Sequence, residues 1–227
     1  MKPRNYRSSI PKSATGVVEE TFDCGAKKSA FFLLTGNKVG YRMWNESGEL
    51  EFEYGMRNGK KHGREYNFFE NGQPHEVTPY RNGTIHGTGK QWSIDGKVVI
   101  TYNLINGTGL DLWCGHEKDT LSEEHYWPKD GELGYHRDWN EDEKAVHIEY
   151  YFFYGKGYHG IWREWNTDGK LRRGFPQYWV NDGRVTKRQY LKASEMDGTL
   201  PPYRPEENRP IRKLPPEYLA QRTRKRK

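Results

Sequence analysis

Few residues of this 227-residue chain have types and spacings suited to chemistry. The densest group of histidines and carboxylates is His116, Glu117, Asp119, Glu123, Glu124 and His125. Such donors suit a divalent metal or acid–base work. Their spacing does not, because no His-x-x-x-His or Glu-x-x-His frame places two of them on one side of a rigid element. The group therefore reads as a solvated loop. Three other histidines, His62, His86 and His159, each directly precede a glycine (Gly63, Gly87, Gly160) and read as recurring turn residues at strand starts. Cys24 and Cys114 are far apart and outside any Cys-x-x-Cys pair, so they read as reduced thiols rather than zinc ligands. No Gly-x-Ser-x-Gly elbow or phosphate-binding loop is present. The sequence thus predicts no catalytic, cofactor or metal site and no enzyme.

What does recur is a framework. Turn dipeptides stand at Asn58-Gly59, Asn82-Gly83, Asn106-Gly107, Asp130-Gly131, Lys156-Gly157 and Asp182-Gly183, about 24 residues apart. Five residues before each glycine stands an aromatic, with the single exception of Thr78. A second turn falls half a period earlier, at Ser47-Gly48, Asn71-Gly72, Asp95-Gly96 and Asp168-Gly169, and an aromatic precedes it: Trp44, Phe68, Trp92 and Trp165, with Trp139 at the same phase. The halves are too short for helices, and Asn-Gly and Asp-Gly supply the positive φ of hairpin turns. The expected fold is all-β: a meandering antiparallel sheet of about six tandem β-hairpin repeats, with flexible tails at both ends. Units of this kind bury little alone and must stack on neighbours.

Side-chain parity orients the strands. A three-residue loop at Ile94-Asp95-Gly96 places Trp92 opposite Val98 and gathers Ile100, Tyr102 and Leu104 on one face. By the same count Trp44 shares a face with Leu50, Phe52, Tyr54 and Met56, while Glu49, Glu51 and Glu53 face outward. Two residues before the aromatics stand Arg42, Tyr66, Lys90, Arg137 and Arg163. Stems of basic residues that cover rings account for this pattern. A stripe that grips a partner is the functional alternative, with Arg42, Trp44, Lys90, Trp92, Arg137, Trp139, Arg163 and Trp165 as its members.

The Gly-x-x-x-x-Trp-x-x-x-Gly-Lys motif followed by an aromatic and Asn-Gly resembles the MORN repeat, and most of all its bacterial variant form, whose proteins are described as antitoxin-like. Residues 87–107, 160–183 and 63–83 carry it best, and the resemblance covers about residues 38–190. The units beginning at Gly109 and Gly134 depart from it, the second with Asn140-Glu141-Asp142-Glu143 in place of a glycine turn. The resemblance implies a protein-binding scaffold, of antitoxin or immunity type in some relatives and membrane-associated in others, without shared catalytic residues.

Composition agrees with strands and turns: 33% hydrophobic residues, 25 glycines, 8 Trp, 16 Tyr and 9 Phe. The net charge of +6 is concentrated at the ends, leaving residues 31–200 mildly acidic. Residues 1–16 read as a flexible arm, 17–192 as the repeat domain and 193–227 as a proline-rich, basic tail. In the tail, Arg222, Arg224, Lys225, Arg226 and Lys227 form an anion-binding candidate for nucleic acid, acidic protein or anionic lipid. No apolar stretch spans a membrane and no secretory leader is evident, so a cytoplasmic protein is expected. The partners expected are another protein, a toxin among the candidates, or a second copy covering the apolar sheet face.

Overall fold

The computed structural model describes residues 5–115, 119–153 and 155–225, with side chains through residue 222. The chain forms two units, Met1–Gly107 and Thr108–Lys227. In the first, β1 (Thr15–Thr21), β2 (Lys27–Leu34), β3 (Asn37–Trp44), β4 (Leu50–Arg57), β5 (Lys60–Phe68) and β6 (Pro74–Arg81) pair antiparallel in order. The two-residue β7 (Thr84–Ile85) pairs with β6, and β8 (Gly87–Trp92) and β9 (Val98–Leu104) complete the sheet. The second unit repeats this plan with β10 (Gly109–Cys114), β11 (Leu121–Trp127), β12 (Leu133–Trp139), β13 (Val146–Phe153), β14 (Gly157–Tyr158), β15 (Gly160–Glu164), β16 (Gln177–Val180) and β17 (Gly183–Val185). Two helices follow, α1 (Lys187–Met196) and α2 (Pro216–Lys225). The chain is an all-β meander of hairpins, as the turn spacing predicts. No helix among the described residues is long and apolar enough to cross a membrane.

The turns work as their chemistry requires. Asn58-Gly59, Asn82-Gly83 and Asn106-Gly107 have positive φ at both residues, 51° and 73°, 51° and 89°, 52° and 79°. Thr35-Gly36 adopts the same pair, 47° and 81°, one repeat earlier, where threonine hides it from a search for Asn-Gly. At the other end the positive-φ pair is Asn181-Asp182, one residue before the expected Asp182-Gly183. Glu143 takes φ 58°, in the place that Gly48, Gly72, Gly96 and Gly169 occupy in the other mid-repeat turns. Each of these five donates its N–H to the carbonyl three residues back.

The repeat histidines tie each hairpin to the next. The Nδ1 atoms of His62, His86 and His159 accept the backbone N–H of Asn82, Asn106 and Asn181 at 3.3, 3.2 and 3.1 Å. These are the turn residues about one repeat onward. Replacing the buried His159 by alanine leaves the Asn181 N–H without its acceptor. A loss of about 1–2 kcal/mol in urea unfolding is expected, with a smaller loss for the more exposed His86→Ala.

The face assignment needs one correction. Register shifts fall between Met43 and Trp44, Asn67 and Phe68, Gln91 and Trp92, and Asp138 and Trp139, each time just before the repeat aromatic. Trp92 does lie opposite Val98, but beyond the bulge Gln91 faces Ile100 and Lys90 faces Thr101. Likewise Arg42 lies opposite Glu53, not on the face of Phe52 and Tyr54. Glu53, expected to face outward, is fully buried. A bulge absorbs one residue and inverts the count of every residue before it.

The ends are also packed differently from the expectation. The boundary at 16/17 falls inside β1, and that at 192/193 falls inside α1. Residues 6–10 lie over the Arg42–Glu53 face of the first sheet. The Tyr6 hydroxyl donates to Glu53 at 2.6 Å, and the Ser9 hydroxyl accepts the Arg64 N–H at 2.7 Å. Ile10 is buried. Glycines make the room: a Cβ on Gly55 would stand 2.6 Å from both the Ser9 Cβ and the His62 carbonyl oxygen. In the second unit α1 starts with a capping box between Thr186 and Gln189. It buries Tyr190 against Ile161, Tyr178 and Leu200.

Candidate interaction surface

The second sheet presents two chemically distinct faces. One carries a row of charges across neighbouring strands: Glu124 opposite Arg137, Arg137 opposite Glu149, Glu149 opposite Arg163. Glu149 and Arg163 are fully buried. Glu149 receives Arg137 Nε at 2.8 Å, Arg163 Nη1 at 3.2 Å, and Arg212 through Nε and Nη2, both at 2.8 Å. Burial alone would raise its pKa. The Arg212 hydrogen bond and charge, then those of Arg137, outweigh burial and hold it below the ordinary carboxylate range. Glu124 accepts from the hydroxyl of Tyr135 and the indole of Trp139, at 2.7 and 3.1 Å.

The C-terminal segment closes over this face. Glu207 pairs with Arg163 at 3.1 Å, and the Asn208 carbonyl accepts the Trp165 indole N–H at 2.7 Å. In α2, Tyr218 is buried, and its hydroxyl and Arg222 both engage Glu143. A cavity of about 770 Å³ lies between this segment and the sheet, lined by residues of both, including Leu110, Tyr126, Tyr135, Leu214 and Leu219.

These contacts redistribute the expected stripe. Trp92, Trp139, Arg163 and Trp165 are buried. Arg42 is held by Glu53 at 2.6 Å, and the Trp44 ring lies under Lys27 at 3.8 Å. Lys90 alone of the eight is exposed. Arg137 is held by Glu124 and Glu149 and is half-buried, as are Arg42 and Trp44. Of the tail candidates, Arg222 is spent on Glu143. Arg224 and Lys225 lie in α2 with side chains outside the described residues, and Arg226 and Lys227 lie outside them altogether. In the acidic cluster, His116 and Glu117 lie outside the described residues, and Glu123 and Glu124 point to opposite faces. Among the described residues no three His, Cys, Asp or Glu side chains converge to hold a metal, and neither Cys24 nor Cys114 is in a disulfide.

The opposite face is aromatic. Register places His125, His136 and Tyr150 side by side on adjacent strands. The His125 and His136 rings lie tilted at a centroid distance of 4.1 Å, and His136 stacks on Tyr150 at 4.7 Å. Trp127 continues the row from His125 at 5.6 Å, and Trp162 continues it from Tyr150 at 5.3 Å. Tyr158 lies 4.7 Å from Trp162 and 5.2 Å from Trp179. Phe152 meets Trp127 edge-on at 5.7 Å. All of these but His136 are half-buried. The indole N–H groups of Trp162 and Trp179 are buried with no hydrogen-bond partner among the described residues.

Three carboxylates, Asp111, Glu123 and Asp138, share this face. Asp138 binds His136 Nε2 at 2.7 Å. Burial, then the neighbouring Tyr158 hydroxyl and the Asp138 and Glu123 charges, push the Tyr150 hydroxyl up to about 12. Burial and the neighbouring His136 hold His125 down at about 4, so its ring is neutral at pH 7. Sequence parity missed this face because its members sit one residue off the stripe: Trp162 beside Arg163, His136 beside Arg137. The visible signals were His125-x-Trp127 and Tyr150-x-Phe152, each a pair on one side of a strand. No protein-family model matches the chain, and no curated protein matches it.

Proposed function

We propose that this chain is a non-enzymatic, protein-binding repeat scaffold of antitoxin or immunity type, and that it receives its partner on the aromatic face of the second unit. The carrying observation is the continuous network of half-buried rings from Trp127 to Trp179, with two unpaired indole donors inside it. Contiguous exposed aromatic surface marks interaction sites, and Trp and Tyr dominate the energetics of interfaces. An unpaired buried donor costs free energy that an acceptor on a partner would recover.

The test is affinity capture of the full chain from its native host at physiological salt. One stoichiometric protein is expected, with Trp162→Ala weakening its binding about 30-fold, the effect of a central interface tryptophan, and Lys90→Ala leaving it unchanged. Recovery of nuclease-sensitive nucleic acid instead, or capture insensitive to Trp162→Ala, would overturn the reading. The first of these outcomes would shift the function to the basic tail.

A further inference from the structure

We propose that the basket formed by His125, Trp127, Tyr150, Phe152 and Tyr158 takes an arginine side chain presented by a protein partner. The inference rests on the scaffold reading above and names the chemistry of its central contact. The basket encloses about 340 Å³ on the aromatic face. Its rings meet at steep angles, Trp127 on Phe152 at 69° and Tyr150 on Tyr158 at 85°. They form walls and a floor rather than a flat sheet.

Elsewhere the protein covers its own ring faces with its own cations. Lys27 lies over Trp44, Lys38 over Phe31, Arg42 over Phe32, Arg137 over Tyr135 and Arg212 over Trp165. Among the described residues, no such cation covers His125, Trp127, Tyr150, Phe152 or Tyr158. Phe153, which also lines the cavity, has Lys156 5.6 Å from its ring centroid. The surrounding charge suits a cation from outside. Asp111, Glu123 and Asp138 stand on the same face, and the charges of Asp138 and Glu123 reach Tyr150. Of the arginines near this face, Arg172 is paired with Glu164 at 2.9 Å, and Arg184 sits opposite Trp179 on the edge strand.

A guanidinium fits better than an ammonium. It is planar, stacks on rings, is weakly hydrated, and carries five donors for nearby carboxylates. Arginine is also among the residues that anchor interfaces.

The probe is Nα-acetyl-arginine amide, titrated into the full chain with fluorine-labelled tryptophan and followed by NMR. Saturable millimolar binding that moves the Trp127 resonance is expected. It should be about tenfold tighter than for the neutral citrulline analogue and tighter than for the lysine amide. Tyr158→Leu and Phe152→Leu, each checked for an unchanged melting curve, should abolish it, and Glu123→Gln should weaken it. Equal binding of citrulline, a tie with lysine, or no saturation would overturn the proposal. If Trp162→Ala releases a captured protein while the arginine amide fails to bind, the scaffold reading stands and the arginine assignment falls. If the amide binds but no protein is captured, the assignment of the basket stands and the scaffold reading falls.

Discussion

Glu149→Ala is expected to destabilise the second unit by about 3–5 kcal/mol. Glu149 is the shared counter-ion of Arg137, Arg163 and Arg212. Without it the fully buried Arg163 keeps Glu207 as its one carboxylate partner among the described residues, beside the Asn208 side chain at 3.4 Å, and Arg212 loses both of its contacts to a carboxylate. An uncompensated buried guanidinium is what makes breaking such a cluster costlier than never having built it. Urea unfolding followed by tryptophan fluorescence measures the loss, and a change below about 1 kcal/mol would show the cluster to be dispensable.

The same carboxylate gives the stability a pH signature. Its folded pKa lies below the unfolded value, so its contribution is complete above the ordinary glutamate range near 4.5 and disappears as pH falls through the folded pKa. The wild type should therefore lose stability on acidification below about 4.5 more steeply than Glu149→Ala does.

Deleting residues 210–227 is expected to cost about 3–6 kcal/mol and to expose tryptophan. The deletion looks innocuous in the sequence, where the segment is proline-rich and basic. In the structure it removes Arg212 from Glu149, the Pro210 carbonyl from the Val146 N–H, and the buried ring of Tyr218. It also strips Tyr218 and Arg222 from Glu143, which holds a left-handed backbone. A lower melting temperature and greater fluorescence quenching by iodide would establish the segment as part of the fold. An unchanged melting curve would restore the reading of a loose tail. Any loss of ligand binding on truncation must be weighed against this loss of stability.

The hairpin meander was legible because its turns need positive φ, and Asn-Gly advertises that need in the sequence. Thr35-Gly36 and Glu143 meet it with residues that do not advertise it. Faces were half legible. Period-two counting holds within a strand and fails across each bulge, so it puts the buried Glu53 outside. The packing of the ends was not legible, because Ile10, Tyr6, Arg212 and Tyr218 acquire partners far away in sequence that no local pattern announces. Gly40, Gly55 and Gly63 carried a hint: glycines inside strands rather than at turns, where another segment crosses close to the backbone. The aromatic face was hidden for the same parity reason as Glu53.

The order of strand pairing has a kinetic consequence. Almost every strand pairs with its neighbour in sequence, so loop closure is short and each hairpin can zip onto the last as the chain leaves the ribosome. The buried charges of β12, β13 and β15 break this pattern. Glu149 meets Arg212 only after 63 further residues, and Leu121 meets Tyr218 after 97. During synthesis the second sheet therefore exists for a time with Arg163, Glu149 and Trp165 facing water or each other. Its locking waits for residues 207–222, and until they are made that face lacks its cover and is open to non-native association.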